Sequence, residues 1–161
     1  MSKPNSISLV FPVYKDKYTV IKVIDKSLKI LKKLKKKYEI LIIDDCCPEK
    51  SGLIALKRSK QNKKIKVYFH KKNLGYGAAI RTGLKKSRYE CIYAVDGDGE
   101  FGISLNDLPR ILKKYKKNDL VITYRYKKRY KTTRIIISWT YNFILRFLFD
   151  IPYKDVSSGA R

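Results

Sequence analysis

YEILIID, residues 38–44, is a short apolar run with a lysine before it and a second aspartate after it. A run of this length, rich in isoleucine and closed by acids, reads as a strand buried on both faces, the type found inside parallel sheets. Its neighbours decide the fold. Upstream, Val20, Val23, Ile24, Leu28, Leu31 and Leu34 recur at helical spacing between Lys17 and Lys37, and ISLVFPV (Ile7–Val13) is another strand before them. The period thus changes from two to about 3.6 and back. Downstream the alternation continues. Leu53–Lys60 reads as a short helix, KIKVYFH (64–70) as a strand and GYGAAIRTGLKKS (75–87) as a helix. YECIYAV (89–95) is the next strand, LNDLPRILKKYKK (105–117) a helix with Pro109 near its start, and DLVITYR (119–125) a further strand. Strand and helix in alternation predict an α/β fold with a mostly parallel sheet covered on both faces.

The 161 residues are enough for one domain with a real core, so 1–161 is expected to be a single domain, and 44% apolar residues exclude a disordered chain. Thirty-eight Lys and Arg against 14 Asp and Glu give a formal charge of +24. That balance favours anionic partners: nucleic acid, anionic lipid or phosphorylated substrates. The lysines are scattered along the whole chain, which is equally the pattern of solvated faces that need no partner. Nucleic acid is disfavoured because no recognition motif accompanies the charge. The three cysteines, Cys46, Cys47 and Cys91, suit neither a disulfide framework nor a zinc knuckle and point to a location inside the cell. Nothing near Met1 has the form of an export signal. The apolar stretch IIISWTYNFILRFLFDI (135–151) is short for a membrane span and contains Arg146. It is expected to form a helix packed in the domain, Trp139 and Tyr141 included, with a helix at a membrane surface as the alternative.

Ligands of open parallel sheets sit outside the carboxyl ends of the strands. There the first strand runs into Pro12, Tyr14 and Asp16, the second into Asp44 and Asp45, the third into Asn73, Gly75 and Gly77, and the fourth into Asp96 and Asp98. Asp96 and Asp98, two apart with Gly97 between, can turn their carboxylates to one side and share a hard divalent cation. Mg2+ characteristically takes one or two carboxylates together with substrate phosphates. A strand-ending turn accounts for DGDG equally well when it is taken alone. Two acidic pairs on one rim of so basic a chain are expected to repel each other unless cations or donor groups are bound there. His70, the single histidine, ends a strand with no partner that spacing identifies, and GYG at 75–77 lacks the third glycine of a dinucleotide fingerprint.

SLVFPVYKD, EILIIDDCCPEKSG, NLGYGAAIRTGL, AVDGDGE and DVSSGAR stand in the order and at about the spacing of family-2 glycosyltransferases. The likeness is to the branch that contains dolichol-phosphate mannose synthase and the bacterial polyprenyl-phosphate glycosyltransferases, and it spans essentially the whole chain. It implies a GT-A fold, a Rossmann-like three-layer sandwich. It also implies a metal-dependent, inverting transfer of a hexose from a UDP- or GDP-linked sugar, of the UDP-glucose or GDP-mannose type, to a lipid phosphate such as polyprenyl or dolichyl phosphate. Alternatives on the same scaffold are a saccharide acceptor or a noncatalytic nucleotide-binding module.

By that resemblance Pro12, Tyr14 and Asp16 line the nucleotide pocket, with Asp16 where the family usually has Glu, and Asn73 and Gly75 belong to the same pocket. Asp45, supported by Asp44, holds the base or ribose. Asp96 and Asp98 form the DxD motif that binds Mg2+ or Mn2+ on the donor diphosphate, Asp96 thereby touching the donor as well. Glu100 falls where Gln is common and adds charge beside the metal. Arg125 and Arg134 match arginines near the acceptor phosphate, for which guanidinium suits because it is permanently charged and binds phosphate bidentately. Asp155, in a D-x-x-S-G-F-R-like segment with Ala160 for the usual Phe, is placed on the acceptor side. Family catalytic domains continue beyond this segment, so the resemblance implies a chain incomplete at its carboxyl end. The implied location is the cytoplasmic side of a membrane, peripherally attached, with an anionic lipid surface as a partner.

Overall fold

The computed structural model describes residues 5–95, 105–115, 120, 121, 123 and 132–149. Strands β1 (Ser6–Val13), β2 (Lys37–Asp44), β3 (Ile65–Phe69) and β4 (Ile92–Ala94) form a sheet in the order β3-β2-β1-β4. Every pairing is parallel. Helices α1 (Val20–Lys33), α2 (Ser51–Ser59), α3 (Tyr76–Lys86), α4 (Leu108–Tyr115) and α5 (Thr132–Phe149) complete the described elements, with a 3-10 turn at Leu105–Asp107 before α4.

Strand alternation divides the core between the two faces of the sheet. Ile7, Leu9, Phe11 and Val13 of β1, with Ile40 and Ile42 of β2, pack with Val20, Ile24, Leu28 and Leu31 of α1, Ala55 of α2 and Leu108 and Leu112 of α4. On the opposite face Val10, Leu41, Ile43 and Ala94 pack with Ala79 of α3. Three layers result, as expected. Phe11, Leu9, Ile24 and Leu31 are fully buried; each such side chain contributes roughly 1.5–3 kcal/mol of transfer free energy. α3 lies so close to the sheet that a Cβ on Gly83 would strike Val10.

Some boundaries differ from expectation, for local reasons. The first helix is shorter than Lys17–Lys37 because Asp16 O takes the N–H groups of Thr19 and Val20 in a turn, and Lys35, at φ +51°, stops it. The fourth strand narrows to Ile92–Ala94. The strand expected at 119–125 lies outside the described residues apart from 120, 121 and 123, which are in no strand.

The late helix forms, but the expectation that it packs in the core is overturned. Ile137, Trp139, Tyr141 and Phe147 are 69%, 63%, 52% and 80% exposed. Trp139 stacks on Phe143 of its own helix, with ring centroids 5.6 Å apart, and among the described residues Asn142 is the buried side chain of α5. Apolar residues spread around most of the helix leave no single stripe to bury against a sheet, and such a pattern reads as interior from sequence alone. Among the described residues no helix is long and apolar enough to cross a membrane.

Candidate functional site

Register aligns the carboxyl ends of the strands. Val13 pairs with Asp44 and Asp44 with Phe69, so the loops after β1, β2 and β3 leave the sheet side by side. The ladder extends one step further, with Asp45 N–H donating to Val13 O at 3.2 Å and His70 N–H to Asp44 O at 2.9 Å. Asp45 and His70 therefore stand next to each other on neighbouring strands.

Asp44, the last residue of β2, and Asp45 after it are 3% and 4% exposed, and the chain itself supplies donors to both. Asp44 accepts the backbone N–H of Cys47 on Oδ1 at 2.8 Å and that of Gly52 on Oδ2 at 2.6 Å. The loop closes tightly around this carboxylate because Cys46 and Lys50 adopt left-handed conformations, φ +57° and +60°. Gly52 lies in the first turn of α2, where a carboxylate opposes the positive end of the helix dipole. It must be glycine: a Cβ there would collide with the Asp44 carboxylate and lie 2.7 Å from the Phe69 ring.

Asp45 organises the loop after β3. Its Oδ1 accepts the N–H of Leu74 at 2.9 Å and pairs with His70 Nδ1 at 2.7 Å, and its Oδ2 accepts the N–H of Gly75 at 2.7 Å. Burial pushes the Asp45 pKa up, but the Leu74 N–H, His70 and the Gly75 N–H together outweigh it and hold the carboxyl below its usual range. Gly75, at φ +85°, caps α3, and its N–H is shared with Asn73 Oδ1 at 3.0 Å. His70 Nε2 reaches Thr82 Oγ1 of α3 at 2.8 Å. With Asp45 ionised, Nδ1–H donates to it, and in neutral His70 Nε2 accepts the Thr82 hydroxyl. One histidine thereby ties β2, β3 and α3 together.

The loop after β1 is fastened to the loop after β2. Tyr14 N–H donates to Asp16 Oδ2 at 2.8 Å, Asp16 N–H to Ser51 Oγ at 3.0 Å, and Lys15 N–H to Cys47 Sγ at 3.1 Å. Tyr14 is 44% exposed, Asp16 half-buried and Pro12 buried within β1. Among the described residues the ladder to β4 covers Ser8–Val10.

The structure thus brings Pro12, Tyr14, Asp16, Asp44, Asp45, Asn73 and Gly75 to one rim. Asp96, Asp98, Glu100, Arg125 and Asp155 lie outside the described residues, and of Arg134 only its place on α5 is described. Among the described residues no three His, Cys, Asp or Glu side chains gather to hold a metal. Oxygens of Asp44 and Asp45 accept backbone N–H groups of the chain itself. His70, Ser51, Cys47 and Thr82 are rim residues that spacing did not single out. Strand order was the missing signal: once β3 is known to lie beside β2, the pairing of Asp44 with Phe69 sets His70 against Asp45.

The sheet of parallel strands between helices, with acidic loops at its carboxyl rim, is shared with solved glycosyltransferases, which place the chain in the GT-A fold. Glucosyl-3-phosphoglycerate synthase from Mycobacterium tuberculosis, solved with phosphoglyceric acid, superposes with a TM-score of 0.69 at 16% identity, over 96% of this chain and 55% of that one. A mannosyltransferase from Pyrobaculum calidifontis, solved with GDP-Man and Mn2+, gives 0.60 at 14% identity, over 71% and 33%. The chain belongs to glycosyl transferase family 2, whose family model matches residues 8–159. It is 31% identical to the human (Homo sapiens) dolichyl-phosphate beta-glucosyltransferase over 61% of its own length and 32% of that protein. To the undecaprenyl-phosphate mannosyltransferase of Micrococcus luteus it is 29% identical, over 76% of its own length and 53% of that protein. The chain therefore spans about a third of the first relative and about half of the second.

Proposed function

We propose that this chain is one GT-A domain carrying the donor-binding part of an inverting glycosyltransferase that moves a hexose from a UDP- or GDP-sugar to a polyprenyl-type lipid phosphate. The observation that supports it most is the rim itself: in a family-2 chain, the loops after β1, β2 and β3 are locked side by side by Asp16, Asp44 and Asp45. The relatives named for dolichyl-phosphate and undecaprenyl-phosphate transfer support the acceptor class. In this reading Tyr14, Asp16 and Asn73 face the nucleotide. Asp45, with its carboxylate turned to the chain, shapes the pocket by fixing the Leu74–Gly75 backbone.

Asp96 and Asp98 would hold Mg2+ or Mn2+, a Lewis acid that stabilises the charge developing on the departing diphosphate. Arg125, Arg134 and Asp155 would serve the acceptor side. A phosphate monoester has its second pKa near ~6 and is largely ionised at neutral pH, so the acceptor oxygen needs no strong general base. The chain's task is then to hold the acceptor opposite the leaving group, so that one displacement inverts the anomeric carbon. The exposed apolar side chains of α5 and the +24 charge fit peripheral attachment to the cytoplasmic face of an anionic membrane, where such an acceptor resides.

The test is calorimetric titration of UDP and GDP, each with and without Mn2+, into the wild type and Asp98→Ala. Metal-dependent binding of one nucleotide that Asp98→Ala abolishes is expected, followed by hexose transfer to a polyprenyl phosphate. Absence of binding by both nucleotides would refute the donor site. Binding without transfer to any lipid phosphate would refute the acceptor.

A further inference from the structure

We infer that His70 is a positioning residue of the donor site: acting through Asp45, it sets the turn at residues 73–75 on which nucleotide affinity depends. It does so within the donor-binding reading above, on which this inference rests. His70 follows β3 directly, and its N–H donates to Asp44 O at 2.9 Å, so the sheet fixes where the imidazole stands. Both ring nitrogens are spent on the chain, Nδ1 on Asp45 Oδ1 at 2.7 Å and Nε2 on Thr82 Oγ1 at 2.8 Å. The side chain is 9% exposed. A ring so placed has no nitrogen left for a ligand or for a proton in transit, and what it does for binding it does through its two partners.

The two partners do different things. Asp45 holds the turn after β3, its Oδ1 taking the Leu74 N–H at 2.9 Å and its Oδ2 the Gly75 N–H at 2.7 Å. A carboxylate turns broadly about its terminal bond. His70, anchored in the sheet and sharing Oδ1 with Leu74, removes that freedom and keeps the two oxygens facing successive N–H groups. The turn depends on this hold: residues 71–74 are all exposed and Gly75 stands at φ +85°, so side-chain burial does little to fasten the segment. Thr82 lies within α3, which is seated on the sheet by Ala79 and by the close approach of Gly83 to Val10. Packing places that helix, and the Thr82 contact adds stability without aiming the turn.

Amide side chains imitate the two arms of the imidazole separately. In asparagine the amide nitrogen is bonded to Cγ, as Nδ1 is in histidine; in glutamine it is bonded to Cδ and stands nearer the place of Nε2. His70→Asn therefore keeps a donor for Asp45 and gives up Thr82, whereas His70→Gln keeps its reach to Thr82 and gives up Asp45. A histidine that only held the fold together would leave the nucleotide affinity of the folded protein untouched by either exchange. Positioning through Asp45 orders the affinities instead, with the wild type and His70→Asn ahead of His70→Gln.

The experiment titrates UDP and GDP, each with Mn2+, into the full chain and into His70→Asn, His70→Gln and Thr82→Val, with a urea midpoint recorded for each. Amide hydrogen exchange is read with and without nucleotide. For the nucleotide that the wild type binds, His70→Gln should weaken affinity about tenfold, the loss expected for one hydrogen bond to a charged group. His70→Asn and Thr82→Val should stay close to the wild type in affinity, although all three lower the urea midpoint. The Leu74 and Gly75 amides should exchange faster in His70→Gln than in His70→Asn. Bound nucleotide should slow them in the wild type, because coupling between the ligand and the turn is reciprocal. Unchanged affinity in His70→Gln, an equal loss in Thr82→Val, or no slowing of these amides by a nucleotide that binds would each overturn the inference and leave the donor site standing. The last of these outcomes requires no variant to fold. Binding of neither nucleotide by the wild type would overturn the donor reading and this inference together.

Discussion

At the scale of the residue, the rim is held by carboxylates that accept from their own chain, and this makes single substitutions informative. Gly52→Ala forces a methyl group into the Asp44 carboxylate and the Phe69 ring; overpacking of this kind costs about 1–3 kcal/mol, to be read from urea denaturation midpoints. Gly77→Ala is its control. A Cβ there meets nothing within 4 Å, and alanine in a helix is favoured over glycine by roughly 0.5–1 kcal/mol, so the same measurement should show unchanged or higher stability. Asp45→Asn keeps the shape but turns an amide N–H toward donors at Leu74, Gly75 or His70; a loss of about 2–3 kcal/mol is expected. The chain's own N–H groups meet Asp44 and Asp45 where bound cations or donor groups were expected; the acidic pair itself was legible in sequence. His70 was not, since its partners Asp45 and Thr82 lie 25 and 12 residues away and meet it only through strand order.

At the scale of the element, chain order carried most of the architecture. The apolar runs at residues 7–13, 38–44 and 64–70 and the helical stripe of α1 are strong periodic signals, and each became the element it announced. Ends were less legible, because they are set by single backbone conformations such as Lys35 at φ +51° or by distant acceptors such as Asp44 at the start of α2. The α5 helix shows the limit of composition: apolar content predicts a helix well and its surroundings poorly. If its exposed aromatic face enters a lipid surface, Trp139→Glu and Phe147→Glu should each reduce co-sedimentation with anionic liposomes severalfold while leaving the urea midpoint unchanged, since neither side chain is buried. Retained liposome binding by both variants would remove α5 from the membrane contact.

At the scale of the whole molecule, a chain of charge +24 keeps Glu39, Asp44 and Asp45 buried among the described residues. Glu39, 3% exposed, accepts the Ser8 hydroxyl, the Lys66 ammonium and the Arg88 N–H at the end of the sheet opposite the rim. Burial raises its pKa, but the Lys66 ammonium and the two neutral donors bring it below the usual range, as the corresponding donors do for Asp45. For a group whose folded pKa is depressed, the unfolded chain takes up the proton first as pH falls. The stability it confers is complete above the unfolded value, about 4 for a carboxylate, and is lost as pH drops through the lower folded value. Acid also removes negative charge from a chain already strongly positive, so self-repulsion acts in the same direction. Urea midpoints should thus be nearly level from neutral pH to about 5 and fall steeply below about 4. Asp45→Asn and Glu39→Gln should each start lower at neutral pH and fall less on acidification, their curves converging toward the wild type. Parallel curves would mean that neither carboxylate has its pKa depressed by folding, and that general repulsion accounts for the acid loss.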